Sequence, residues 1–221
     1  MKIKIYTVLL IFVKLCNPVF GQSSNMFNDF LLPKLIPFEQ NGKYGYCNTN
    51  KEIIINIKFD DAYPFNEDME VQNSSNENLR KYGSENFATV IIKKEKYRID
   101  SAGKIVYTFN GDYIDYNMAL EKEIFFIYED GNSKGIKDND SIIIKAKYEE
   151  IYPITYLKQC KPFIAKLNGK YGIVDVDRVL LDFKYDNISY PFDYPTSWCP
   201  LVIAEINKRK FYVDFNGNEY R

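Results

Sequence analysis

One phrase of sequence occurs twice in this chain. Asn-Gly-Lys-Tyr-Gly, an apolar strand, a turn, and Lys followed by an aromatic residue and Asp run through residues 41–60, and almost the same phrase runs through residues 168–186. A unit this short cannot bury its apolar face alone, so several copies must pack together to make a core. The sequence therefore predicts a repeat protein in which most recurring residues serve packing.

The repeat has a regular period. Aligned on the aromatic residue of the phrase, the copies are separated by 53, 36, 38 and 40 residues. The long first interval contains the polar residues 66–86, which offer little to a core and are interpreted as an inserted loop rather than a domain. The five anchor positions are Tyr44, Tyr97, Ser133, Tyr171 and Phe211.

The clearest copy predicts the secondary structure of one unit. Residues 163–167 alternate as a strand does, Asn168 and Gly169 are typical of a type I′ hairpin, and residues 170–175 return as its partner. Residues 179–183 make a third strand. We therefore expect an all-β fold, an array of about five short antiparallel β-meander repeats stacked into one elongated domain over residues 38–221. The last copy is expected to be atypical because one face of a terminal unit meets water.

The first residues are predicted to be a targeting segment. Residues 1–21 combine a basic start, a short apolar run and small or aliphatic residues before Gly21, a pattern typical of a secretory signal peptide. The alternative is a lipoprotein cysteine at Cys16, although Lys14 and Leu15 precede it where small residues are required. Residues 22–37 form an N-terminal leader. The expected location is periplasmic, cell-surface or extracellular.

The charge balance argues against a polyanionic partner. Removing residues 1–21 leaves 26 basic and 30 acidic residues, and the two signs are interspersed along the chain. Tight nucleic-acid binding depends on clustered Lys and Arg, so no nucleic-acid partner is expected. No second apolar run of membrane length follows, and no transmembrane helix is expected in the mature chain.

At this point the motifs resemble a known family. Gly42-Lys43-Tyr44-Gly45-Tyr46 and residues 169–175, with Lys-aromatic-Asp at 58–60 and 184–186, are similar to the bacterial WG repeats. The family's Trp is replaced at all five anchors, and the Gly that follows it is replaced by Arg98 and Tyr212. The resemblance implies a β-repeat architecture and an interaction module, here one that binds a protein or a cell-envelope glycan.

Catalysis is limited to carboxylate chemistry. The chain contains no histidine, which excludes Ser-His-Asp and Cys-His nucleophile systems and His-rich zinc sites. Paired acids can hydrolyse a glycosidic bond, so a carbohydrate-active enzyme is the alternative function. The acids recur in the same slot of three copies, which favours a role in turns because an active site is needed once. These acids are Asp60, Asp61, Glu149, Glu150 and Asp186.

No metal or cofactor site is predicted. Residues 130–135 look superficially like the start of a calcium loop, but Lys134 stands at its fifth position and Ser141 at its twelfth, where a bidentate Glu is required. Gly131 and Asn132 are instead typical of a hairpin turn.

Two cysteines occupy equivalent places in successive copies. Cys160 and Cys199 each precede an alanine by five residues, so they form a disulfide if the two strands lie side by side in an oxidising compartment. The alternative is that both are buried and reduced. Cys47 stays unpaired in either case.

Aromatic residues in connecting segments are the candidate ligand-binding residues. Tyr156 and Tyr194 follow the recurring Tyr-Pro dipeptides by four residues, and Asp193 and Trp198 accompany the second of them. An exposed ring beside polar groups stacks on sugars or anchors a peptide. The alternative is that these rings fold back over the sheet, because Trp is usually buried.

Overall fold

The computed structural model describes residues 32–111, 125–154, 162–176, 178–191 and 199–221. Within these residues the chain is mostly β-strand and forms five small antiparallel sheets. The predicted all-β class with repeated meanders is confirmed. We number the sheets as units 1 to 5 in chain order.

In every unit neighbouring strands are consecutive in sequence, so each sheet is a simple meander. Units 1 to 3 contain β1 (Ile36–Gln40), β2 (Lys43–Cys47) and β3 (Ile53–Phe59); β4 (Asp61–Ala62), β5 (Phe87–Ile92), β6 (Glu95–Asp100) and β7 (Ile105–Thr108); and β8 (Phe125–Asp130), β9 (Ser133–Asp138) and β10 (Ser141–Tyr148). Units 4 and 5 contain β11 (Glu150–Pro153), β12 (Phe163–Leu167), β13 (Lys170–Val174) and β14 (Val179–Tyr185); and β15 (Asn187–Ser189), β16 (Leu201–Ile206), β17 (Arg209–Asp214) and β18 (Glu219–Tyr220).

The anchor residues occupy equivalent places in the fold. They lie on β2, β6, β9, β13 and β17, which in each unit form the second strand of the central hairpin. Asn168 and Gly169 have φ values of 52° and 75°, as the type I′ prediction requires. Lys93 and Lys94 hold the same positive-φ positions in unit 2, so the turn geometry recurs even where its Asn-Gly signature is lost.

A bulge explains the glycine that follows the anchor. Tyr44 pairs with Phe59 and Tyr46 with Ile55, so two residues of β2 face four residues of β3. The extra residues push the β3 backbone towards β2, and a Cβ added at Gly45 would lie 2.5 Å from the Ile55 carbonyl oxygen. Gly135 and Gly172 face the same close approach in units 3 and 4. Only glycine fits opposite this bulge.

Units 2 and 5 lack the bulge of two extra residues, and they also lack the glycine that follows the anchor. Tyr97 and Arg98 pair in step with Thr108 and Tyr107, and Tyr212 pairs with Tyr220 without a shift. With no backbone pressing on them, Arg98 and Tyr212 extend into the interior, and each is 1% exposed. The departure from the repeat sequence is therefore coupled to a change in strand pairing.

At three places in the described residues, a single acidic residue separates one sheet from the next. Asp60 separates β3 from β4, Glu149 separates β10 from β11, and Asp186 separates β14 from β15. At each corner the backbone N–H donates to a carbonyl of the next sheet, at 2.8 Å from Asp60 to Ile91. These corners thus fix unit 1 against unit 2, unit 3 against unit 4, and unit 4 against unit 5.

The units do not pack simply in chain order. Of the three buried clusters in the described part of the chain, one joins units 3 and 4, one joins units 4 and 5, and one joins units 5, 1 and 2. The hydroxyl of Tyr44 donates to the Lys210 carbonyl and that of Tyr212 to the Ala62 carbonyl, both at 2.9 Å. The last unit is therefore not a free end, as the sequence suggested, because it packs against the first.

The insertion at residues 66–86 differs from the expected polar loop. It contains two short helices, α1 (Met69–Gln72) and α2 (Glu77–Arg80). Val71 and Leu79 are 1% and 0% exposed, so each helix contributes one apolar side chain to the interior. Periodicity could not detect them because each helix is a single turn. No helix in the described residues is both long and apolar enough to cross a membrane.

Candidate interaction surface

The recurring corner acids are bound into the fold. Asp60 Oδ1 accepts a hydrogen bond from Lys43 of its own unit, and Oδ2 accepts one from the Lys93 N–H in the hairpin turn of the next unit, at 2.5 Å. The hydrogen bond from Lys43 is the main reason that the pKa of Asp60 lies below its usual value. The carboxylate joins two successive units.

The corner between units 4 and 5 repeats this arrangement. Asp186 accepts from Lys170 Nζ at 2.5 Å and from the Asn207 N–H of the next turn at 2.7 Å. The bond from Lys170 again lowers the pKa of the carboxyl group. At the third corner Glu149 accepts from the Gly169 N–H at 3.1 Å. The three acids therefore act as turn caps, which is the role that their recurrence favoured.

The second acid of each pair has different surroundings. Glu150 accepts from Lys166 Nζ at 3.1 Å and from the Tyr171 hydroxyl at 2.9 Å, and these bonds lower its pKa. Burial raises the pKa of Asp61, whose carboxylate accepts from the adjacent Ala62 N–H at 2.9 Å. Glu150 and Asp61 therefore differ from each other, and from the corner acids, in their hydrogen-bond partners.

A buried arginine is a feature that sequence reasoning missed. Arg98 donates to Asp68 Oδ2 and Thr89 Oγ1, both at 2.9 Å, and its Nε donates to the Tyr82 carbonyl at 3.0 Å. Burial lowers the pKa of Arg98 and the charge of Asp68 opposes that shift. These contacts attach the insertion to unit 2, so the guanidinium has a structural role. Arginine in place of the repeat glycine was the one available signal.

The cysteine prediction is untested. Burial raises the pKa of Cys199 to about 12 and that of Cys47 to about 11, so both thiols are protonated near neutral pH. Cys160 lies outside the described residues, and its pairing with Cys199 stays a prediction. Within the described residues, no group of three or more Cys, Asp or Glu side chains is placed to hold a metal ion.

The predicted ligand-binding residues are also untested. Tyr156, Asp193, Tyr194 and Trp198 lie outside the described residues, as do the predicted signal peptide and Cys16.

Exposed aliphatic residues recur on the strand that follows the central hairpin in the bulged units. Ile53, Ile142 and Val179 are 42%, 54% and 49% exposed, and each stands two residues before a buried aliphatic residue of the same strand. Single exposed aliphatic side chains are ordinary, but packing among the described residues does not account for the same exposure at the same place in three units. This position is the clearest recurring feature that the core leaves to solvent.

Two of these residues share one groove, which we call the β10 groove. It has a volume of about 460 Å³ and lies between β10 and the segment that leads into β14. The residues that line it are Ile142, Ile143, Ile144, Lys145, Lys147, Tyr148, Asp175, Val176, Arg178 and Val179. Apolar side chains lie at one end of β10 and lysines at the other, so the groove offers two kinds of contact.

The comparison with known families agrees with the repeat geometry. Residues 44–69 match the family model described as WG containing repeat. The chain contains a WG repeat. The matched segment begins on β2, crosses the bulge opposite Gly45 and the corner at Asp60, and ends at the start of α1. No curated protein and no solved structure matches the chain.

Proposed function

We propose that the chain is an exported, non-catalytic repeat protein that binds another protein or a cell-envelope glycan. One observation carries the proposal. The polar residues that recur in the WG-type units are engaged in turns and corners, whereas the aliphatic residues at 53, 142 and 179 recur and stay exposed. Exposed apolar side chains that lie together are typical of contact surfaces, and Ile142 and Val179 line one groove.

The arrangement of the acids supports a non-catalytic function. A glycosidase needs two carboxyl groups facing one bond, with one of them held protonated. Here Asp60, Asp186 and Glu150 have lowered pKa values because lysines or backbone N–H groups bind them. Asp60 and Asp186 serve the junctions between units and Glu150 is bound within unit 4, so the proposal assigns no catalytic residue.

Export is the part of the proposal that rests on residues 1–21. Fractionation of the native host, followed by N-terminal sequencing of the recovered protein, tests it. The proposal expects recovery outside the cytoplasm with a new N-terminus after Gly21. Recovery of the full-length chain in the cytoplasm would contradict export without bearing on binding.

Chemical cross-linking in the native host, with mass spectrometry of the products, tests the binding function. The proposal expects a defined partner, either a protein or envelope glycan fragments, recovered in proportion to the amount of the chain. The double variant Tyr194→Ala and Trp198→Ala reports whether the loop aromatics contribute. Recovery of no specific partner from any compartment would contradict the function.

A further inference from the structure

The β10 groove follows an open strand edge. In the described part of the chain β10 has one ladder partner, β9, and forms the edge of its sheet. Six of its eight residues line the groove, and they come from both faces of the strand. Because alternate side chains point to opposite faces, a groove lined by both sets runs along the backbone edge itself. Its shape therefore suits an extended chain.

One end of the groove is apolar. Ile142 and Val179 come from different units and are 54% and 49% exposed, with Ile143 and Val176 beside them. Burying aliphatic surface stabilises a complex by about 25 cal/mol per Å². Aliphatic side chains of a partner therefore contribute most binding free energy at this end.

The other end is basic. Lys145 and Lys147 are both exposed and both line the groove. Arg178 and Asp175 also line the groove and lie 3.9 Å apart, so their charges largely offset each other. Among the described residues that line the groove, the remaining charge is positive, which favours carboxylates in a ligand.

We infer that the β10 groove binds an extended peptide of a partner protein, with aliphatic residues against Ile142 and Val179 and acidic residues beside Lys145 and Lys147. This inference rests on the proposed function and specifies a partner class for it. The strand pairing shifts twice along β10, after Ile142 and after Ile144. Such bulges disrupt the regular backbone hydrogen-bonding pattern of the strand and so limit unspecific pairing with other strands. Recognition of the peptide therefore depends on side-chain contacts.

A binding assay with defined peptides tests the inference. The probe is a fluorescein-labelled peptide as long as β10, eight residues, with valines in one half and alternating glutamates in the other. Fluorescence polarisation with the mature chain is expected to show saturable binding. A peptide with lysine in place of each glutamate, and one with serine in place of each valine, are each expected to bind at least about tenfold more weakly.

Matched variants place the binding site. Lys145→Glu with Lys147→Glu, and separately Ile142→Ser with Val179→Ser, are each expected to weaken binding of the glutamate peptide about tenfold. The control is Ile53→Ser with Lys58→Glu, which makes one change of each kind at the exposed positions of unit 1 that are equivalent to Ile142 and Lys147, outside the groove. It is expected to change the affinity less than about twofold. Circular dichroism verifies that each variant is folded.

Three results would overturn the inference: no saturable binding, equal binding of the lysine peptide, or an equal loss in the unit 1 control. The cross-linking experiment separates this failure from failure of the proposed function. If a partner is recovered equally well by the groove variants, the chain binds elsewhere and only the groove inference fails. If no partner is recovered, the proposed function fails whatever the peptide assay shows.

Discussion

The identity of the residue after each anchor is determined by how closely the backbone of the next strand approaches it. Glycine occurs after the anchor in units 1, 3 and 4, where two extra residues bulge from the strand that follows the central hairpin. The bulge leaves no room for a Cβ, whereas units 2 and 5 pair without it and place Arg98 and Tyr212 there. The glycine and the bulge are therefore one structural feature.

Adding one methyl group opposite a bulge tests this coupling. A Cβ at residue 172 would lie 2.6 Å from the Leu181 carbonyl oxygen, so we expect Gly172→Ala to lower the free energy of unfolding by about 3 kcal/mol. Urea unfolding measures the loss. Ser189→Ala, at an exposed strand position, is the control and is expected to cost less than about 0.5 kcal/mol. A cost below about 1 kcal/mol at Gly172 would show that the bulge does not require glycine.

The buried arginine leads to a second prediction at this scale. Arg98→Met leaves the carboxylate of Asp68 without its guanidinium partner, and we expect a loss of about 3 kcal/mol in the free energy of unfolding. Combining it with Asp68→Asn removes the unpaired charge. The double variant is therefore expected to be more stable than the sum of the single changes implies, by about 1 kcal/mol. Strict additivity in urea unfolding would argue against the ion pair.

Secondary-structure elements are connected by the acidic corners. Each acid follows the last strand of one unit and accepts from the hairpin turn of the next, so the junction is a hydrogen-bonded corner rather than a flexible linker. Repetition of this corner explains why Lys-aromatic-Asp recurs in the sequence. Each corner therefore fixes the position of one meander relative to the next.

The pH dependence of stability tests the corner at Asp186. Its folded-state pKa lies below the usual value, chiefly because of Lys170, so its contribution is fully present above the unfolded pKa of about 4. That contribution is lost as the pH falls through the lower folded-state pKa. Melting temperatures of the parent are expected to fall more between pH 5 and pH 3 than those of Asp186→Asn. Lys170→Met, which removes the main cause, is expected to reduce the fall as well, and parallel curves for all three proteins would contradict this account.

On the scale of the whole molecule, the first and last units are neighbours. Arg209 forms an ion pair with Glu39, whose side chain is 2% exposed, and the Tyr44 hydroxyl crosses the same boundary to the Lys210 carbonyl. The Tyr212 hydroxyl of unit 5 donates to the Ala62 carbonyl of unit 2. One buried cluster then spans units 5, 1 and 2. The chain ends are thereby part of a common core rather than the ends of a row.

The sequence predicted what local chemistry decides and missed what depends on distant contacts. The Asn168-Gly169 turn and the meander follow from neighbouring residues, and recurrence indicated that the acids serve turns. Arg98 was missed because its partner Asp68 lies 30 residues away in a segment interpreted as a loop. The β10 groove was missed because Ile142 on a strand is ordinarily a core residue. Periodicity shows that units pack, but not which units touch.

A distance between units 1 and 5 tests the central claim most directly. Spin labels attached at Gln40→Cys and Lys208→Cys, which are both exposed positions, report this distance by pulsed electron–electron double resonance in the otherwise native chain. Contact between the two units predicts a narrow distribution centred at about 20 Å, which allows for the length of the labels because packed sheets lie about 10 Å apart. Five units stacked in chain order would separate units 1 and 5 by four such spacings. A distribution centred near 40 Å would therefore contradict the account.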